Sequence, residues 1–582
     1  MIGSTQRREA AMVATAAIIL GLSFCYPLLT GLTQASGFSA DWDQHLGFSW
    51  YGYTTIAHFK QVPLWNPYRC GGLAEAGNPQ SQVFAPSTLL HLIAGPIAGA
   101  YLEIPLHFAM AWAGTYVLAS VLGLGWIAAA GAATVFPAAS WFALHSAMGH
   151  LDLLSFAYVP WALAFALRAT RTEALIDVAL AGLALALTFL DGSPYPTIYA
   201  GFIMGTVMLV RAIRERSFRP LTAMLLAIAF GAGFMAIKLV PAIEFMREHP
   251  RAFARPEYAT LGSLRDVFAR NQDLLKWRPS PQRWGFWEFG CYIGLFAVPA
   301  LIGIVAGGLG GIEWTIAAGL MLVLWCGSRG SYWPWALIHH MPLLAALRAP
   351  QRSIIAFALA CAIVAGFGLD FIRSKIPKYG KVVAAAIVIV ATLDCWLVSS
   401  PAYRYVVSTR ESEAPEKADG FQQLYRSWPG HELNYARNGF GVIMCYEETQ
   451  WATNVRGYDE LSYKGEQYLN GDGKLQLLEW TPNVLEFEVD VAQPTDLIIN
   501  QNFQKSWRLR SGAGSVFEFG FLPPSELHSF PIPGQLAVHL PAGHQRIKLR
   551  YLPSTFAIGA IITVLSFGLL AWIIVRARAV AG

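Results

Sequence analysis

Long apolar runs separated by short polar stretches dominate this chain. They fall at residues 10–32, 101–122, 126–144, 151–167, 174–190, 197–210, 221–240, 291–305, 314–325, 353–372, 382–398 and 555–575. A helix needs ~20 residues to cross the hydrocarbon layer, so the pattern predicts a polytopic membrane protein with about twelve transmembrane helices. The first run follows Arg7 and Arg8 but outlasts a signal-peptide core and has no small-residue cleavage site, so it reads as a retained span. Residues 87–97 are too short and too closely flanked by Pro and Gly to cross; they read as a re-entrant or interfacial segment.

The period changes after residue 398. Residues 484–490 and 546–551 alternate apolar and polar positions, and 495–499 and 535–540 look like further strands. Gly512, Gly514, Pro523, Pro524, Pro533, Gly534 and Gly543 supply turns between them. The expected organisation is a helical module over 1–398 with a long first loop at 34–84, a soluble β-sandwich-like domain over 399–553, and a last span and tail over 554–582.

Composition agrees with the pattern: 55% of residues are hydrophobic, 14% are charged, and mean hydropathy is +0.41. Threading the spans alternately gathers Arg7 and Arg8, Arg168 and Arg171, Arg211 to Arg219, Arg373 to Lys381, and Arg576 and Arg578 on one side. By the positive-inside rule that side is the cytoplasm, which puts both termini there. A net charge of +5 is then a topology signal and does not point to nucleic acid. The first loop and the β-rich region face outward, and no Gly-rich phosphate loop marks the inner face for ATP. Cys70, Cys291 and Cys445 fall on the outer side, where an oxidising compartment allows two of them to pair.

The outer loops carry the unusual chemistry. Asp41-Trp42-Asp43-Gln44-His45 places two carboxylates and an imidazole at the membrane surface. Charged groups near hydrocarbon are costly unless solvated, paired or used. A helix N-cap accounts for one Asp and leaves the other and His45 unexplained. His150 and Asp152 lie at the start of an apolar run, Glu288 lies in a tryptophan-rich stretch, and Arg348 and Arg352 precede another run. For these the plainer roles are a cap, a backbone partner, an interfacial anchor and a snorkelling cation. Trp507 and Asn502 are a further place where a sugar ring would stack, although such a Trp more often belongs to a core.

Asp41-Trp42-Asp43-Gln44-His45, the stretch 62–72 with Pro63-Leu64-Trp65-Asn66-Pro67-Tyr68, and Asn78-Pro79-Gln80-Ser81 resemble the first loop of YfhO-like bacterial membrane proteins of the GT-C glycosyltransferase superfamily. Gly149-His150, Trp287-Glu288, residues 347–352 and 502–507 are similar to that family's segments in the same order. Asp191-Gly192 departs from the pattern, which has a Gly-Gly or Gly-His type of turn at that point.

The resemblance implies a GT-C-like helical module with a C-terminal extracytoplasmic β-rich domain. It also implies an extracytoplasmic transferase of the bacterial inner membrane. The donor would be a polyprenyl-phosphate-linked sugar, and the acceptor a glycan, a lipid or a cell-envelope polymer. A carrier or assembly protein on the same scaffold, binding polyprenyl-linked glycan without chemistry, is the alternative. Sugar transfer needs a carboxylate to take the acceptor proton and cations to hold the leaving phosphate. Asp41, matching the family's leading Asp, and Asp43 are the catalytic expectations. His45, Arg69, His150, Asp152, Glu288, Arg348 and Arg352 are the substrate-binding expectations, with the arginines for phosphate. A divalent cation, Mg or Mn, would sit on Asp43 or Glu288.

Overall fold

A computed structural model describes residues 4–31, 40–249, 257–272, 285–341, 344–406, 419–425, 432–445, 453–523 and 532–581. The start of the first loop, 32–39, lies outside them. Among the described residues nine helices are long and apolar enough to cross a membrane, or ten if one bent pair counts as a single span. Three of the twelve expected runs fall outside the nine. The first run forms helix Ser4–Phe24 with Arg7, Arg8 and Glu9 in its opening turns, and the run at 174–190 gives the shorter apolar helix Leu175–Leu190. The run at 221–240 becomes Arg219–Phe234 and Ala236–Glu248, bent by 83° at Met235. Residues 87–97 form the short helix Thr88–Ala94, which ends at Gly95 and turns into Pro96–Val121.

The β-rich region contains two four-stranded antiparallel sheets. One runs in the order Ser515–Phe519, Gln535–Leu540, Thr495–Asn502, Gln467–Leu469; the other runs Lys474–Thr481, Val484–Val491, Gly543–Tyr551, Trp507–Ser511. Period-two burial puts Leu485, Phe487 and Val489 of one sheet in a common core with Leu497, Ile499, Leu536 and Val538 of the other. Trp507 is part of this core at 2% exposure, so it is not a platform for sugar.

The first loop is clamped between bundle and sandwich. Trp65 packs on Trp507 and Tyr551 at 5.6 and 4.9 Å between ring centroids, and its Nε1 donates to Gln501 Oε1 at 2.7 Å. Asn502 Nδ2 donates to the carbonyls of Cys70 and Gly72 at 2.7 and 2.9 Å. Gly72 has φ +108°, and a Cβ there would stand 2.5 Å from the Trp65 ring. Of the outer cysteines, Cys70 and Cys445 form a disulfide, while Cys291 is a buried free thiol.

Candidate active site

Helix Ala40–Tyr53 carries the acidic motif, and its geometry separates the two carboxylates. Two residues along an α-helix turn the side chain by about 200°, so Asp41 and Asp43 leave on opposite faces. Asp41 faces the helical bundle, with its Oδ2 2.9 Å from His150 Nε2. The contact depends on Gly149, whose φ is +87° and where a Cβ would sit 2.5 Å from the Trp42 backbone nitrogen. Trp42 Nε1 fixes the same approach by donating to the Ala147 carbonyl at 3.0 Å.

Behind His150 lies His145, with the two Nδ1 atoms 2.7 Å apart. Glu288 and Arg352 form a bidentate pair, Nε to Oε2 at 2.8 Å and Nη2 to Oε1 at 2.7 Å, at 2% and 6% exposure. The Arg352 guanidinium lies over the Tyr195 ring at 4.6 Å, and Tyr195 Oη accepts from the Arg348 backbone N–H at 3.0 Å. Glu257 accepts from the Ala349 backbone N–H. His45 Nε2 lies 3.6 Å from Asp152 Oδ1.

Charge sets the protonation states at the motif. Burial pushes the Asp41 carboxyl up, but the charge and hydrogen bond of His150 outweigh it and hold the group below its ordinary value. Burial pushes His150 down, and Asp41 more than restores it, so its pKa lies above the ordinary value. His45 goes the other way, because burial outweighs Asp152 and Asp41. The outcome is an ionised Asp41 whose side chain is 22% exposed, backed by a histidine that favours the proton. An exposed, ionised carboxylate anchored from behind is suited to accept a proton from a hydroxyl.

Asp43 and Arg69 belong to a different cluster. Asp43 Oδ2 and Oδ1 accept from the backbone N–H groups of Glu432 and Leu433 at 2.7 and 3.2 Å, at the first turn of helix Glu432–Arg437. Arg69 Nε donates to Glu432 Oε2 at 2.8 Å. Burial first, then the neighbouring Glu432 charge, push the Asp43 carboxyl up to about 7. Both of its oxygens are committed to this cap, which accounts for Asp43 without catalysis or a metal.

The sequence-predicted residues thus divide. Asp41, His45, His150, Asp152, Glu288, Arg348 and Arg352 lie around one centre, whereas Asp43 and Arg69 fasten the loop to helix Glu432–Arg437. Sequence reasoning missed His145, Tyr195 and Glu257. The signal for His145 was its place five residues before His150; Tyr195 and Glu257 offered none. His145, His150 and Glu288 present ligand atoms within 4.8 Å of one another, the spacing of a cation site. Both Glu288 oxygens are occupied by Arg352, and His150 Nε2 by Asp41. A cation there would have to compete with a bidentate ion pair.

No family model and no curated protein matches the chain. Among solved structures it is similar to ArnT from Cupriavidus metallidurans bound to undecaprenyl phosphate, at 12% identity and TM-score 0.47, over 76% of this chain and 86% of that one. It is similar to the Archaeoglobus fulgidus oligosaccharyltransferase at 12% identity and TM-score 0.45, over 76% of this chain and 65% of the other. A third similarity is to the mycobacterial arabinofuranosyltransferase AftD, at 15% identity and TM-score 0.44, over 92% of this chain and 40% of that one.

Proposed function

We propose that the chain is a membrane glycosyltransferase, moving a sugar from a polyprenyl-phosphate-linked donor to a glycan, lipid or envelope acceptor. One observation carries the reading: Asp41, the partly exposed member of a buried acid–base cluster, is kept ionised by His150 where the first loop meets the helical bundle. In the reaction the acceptor oxygen bonds to the anomeric carbon as the bond from that carbon to the phosphate oxygen breaks. Asp41 takes the hydroxyl proton, and polyprenyl phosphate leaves with the bonding pair. Arg348 and Arg352, which border the centre, supply the positive charge for that phosphate in this reading. Arg352 is held rigid by Glu288 and Tyr195, which favours a fixed positive field over a mobile clamp. His45 and Asp152 line the same centre and contact the acceptor in this reading.

His145, His150 and Glu288 would be the holders of any divalent cation, which would supply charge to the departing phosphate. The scheme works without it, and Asp43 is assigned the helix cap instead. The centre faces the outside of a bacterial inner membrane with both termini cytoplasmic, a placement that rests on the distribution of Arg and Lys.

The test is mass spectrometry of surface glycans and lipid-linked sugars from a deletion strain complemented with wild type, Asp41→Asn or Asp43→Asn. Asp41→Asn should accumulate unmodified acceptor at normal protein level, and Asp43→Asn should retain most modification. Full modification with Asp41→Asn would refute the enzyme and leave the carrier reading, which predicts binding of polyprenyl-linked glycan without turnover.

A further inference from the structure

A second cluster of ionisable side chains lies in the bundle, apart from Asp41. His91 on helix Thr88–Ala94, Glu103 and His107 on helix Pro96–Val121, and Asp191 just before helix Pro194–Glu215 are all at most 2% exposed. Glu103 and His107 are four residues apart and share a helix face. Asp191 is held by Ser87 Oγ, donating to Oδ1 at 2.7 Å, and by Tyr158 Oη, donating to Oδ2 at 3.0 Å. His107 Nδ1 lies 3.0 Å from the Glu103 main-chain oxygen and its Nε2 lies 2.7 Å from Asp191 Oδ2. His91 Nε2 lies 3.2 Å from Glu103 Oε2.

Two buried carboxylates require compensating charge. Among the described residues no Lys or Arg forms an ion pair with either, and the partners of the two carboxylates are the imidazoles of His91 and His107. Lys238 points its ammonium at main-chain carbonyls, those of Ser81, Phe189 and Gly192, at 2.6, 2.9 and 3.4 Å. Among the described residues Glu103 Oε1 has no hydrogen-bond partner, although the residue is fully buried; His107 Nδ1 stands off at 3.9 Å. Glu288 is the opposite case, with both oxygens satisfied by an arginine. Leaving such an oxygen unpaired costs about 1–3 kcal/mol, more when it is charged.

The geometry matches a coordination shell. Glu103, His107 and Asp191 each offer a ligand atom within 4.8 Å of the others. A main-chain carbonyl facing His107 Nδ1 takes the N–H there, so Nε2 becomes the free donor atom once the proton it shares with Asp191 is released, which is the usual tautomer of a metal-bound histidine. Ser87, Tyr158 and His91 hold the carboxylates from outside, as supporting partners of metal ligands do.

We propose that Glu103, His107 and Asp191 bind a divalent zinc-class ion that joins the helix after the first loop to the turn at 191–193. One imidazole with two carboxylates suits Zn²⁺, with Mn²⁺ the competing choice. On binding, the ion replaces the proton between His107 Nε2 and Asp191 Oδ2, which is released to solvent, and the two carboxylates balance its charge. The site uses no residue of the Asp41 centre, so it stands or falls independently of sugar transfer.

Purified full-length protein in detergent is loaded with Zn²⁺ or Mn²⁺, desalted and assayed for metal by mass spectrometry; a Co²⁺-loaded sample is read by visible absorption. Wild type, Asp41→Asn and His145→Gln should keep a stoichiometric ion, and Glu103→Gln and His107→Gln should lose both the ion and the Co²⁺ band. His91→Gln, which alters the support of Glu103 and the contact with the Pro96 carbonyl but no ligand atom, should bind roughly 10–100-fold more weakly and covers the case in which the ligand variants fail to fold. A wild type without metal after both loadings, unchanged affinity in His91→Gln, or loss of the ion in His145→Gln with retention in His107→Gln would overturn the assignment.

Discussion

Asp41 and Asp43 share a helix, a residue type and a chain neighbour, yet the fold gives them opposite surroundings. Asp41 meets His150 across the bundle, is partly exposed and is held below the usual carboxylate range. Asp43 caps helix Glu432–Arg437, is buried, and is pushed up to about 7. One is a partly exposed carboxylate set against an imidazole, and the other ties the motif to helix Glu432–Arg437. An acidic pair in a motif is therefore not one functional unit once helical geometry turns its members apart.

The sharpest way to break this comparison is at Asp41. Asp41→Asn should reduce sugar transfer by about 10²–10⁴-fold, read by turnover of lipid-linked donor, with binding of the donor largely kept. Replacing His150 by Gln should move the acid limb of the activity profile to higher pH, because Asp41 loses the cation that lowers its pKa. An unmoved limb would deny the coupling.

Next is the pair that frames the centre. Arg352→Ala strands Glu288 as an uncompensated buried charge and should cost about 3–5 kcal/mol, seen as a lower melting temperature or loss of folded protein. On the Asp43 side, Cys70→Ser or Cys445→Ser opens the link between the first loop and the β-rich region. That change should cost about 2–4 kcal/mol, and reductant should lower the wild-type melting temperature while leaving the variants unaffected.

The smallest effect belongs to Asp43. Asp43→Ala removes a cap and should cost about 0.5–2 kcal/mol. Asp43→Asn keeps an acceptor and tests the pH sign. A carboxyl raised to about 7 in the fold binds protons more tightly there than when unfolded, so wild-type stability should fall as pH rises from the ordinary Asp range to about 7. The Asn variant should flatten that slope in melts measured across the range.

The sequence made the helical class, the β-rich region and most of the centre legible. Asp41, His150, Glu288 and Arg352 all sit at ends of apolar runs, where charge stands out against its background. Asp43 and Arg69 were not separable from them, because their shared partner Glu432 lies more than 360 positions along the chain from Arg69 and supplies no local pattern. The bend of 83° at Met235 inside the run at 221–240 was not legible, since hydropathy does not register a break in direction. His145 was hidden inside an apolar helix, although a histidine there is itself a signal. Glu103 and His107 were overlooked for the same reason, while Asp191 was visible only as a departure from the family's turn.

The Cys70–Cys445 crosslink also dictates an order of manufacture. Its two halves leave the ribosome 375 positions apart, with most of the membrane helices synthesised between them. The first loop must therefore wait, unfastened at Cys70, until Cys445 has been made and oxidised.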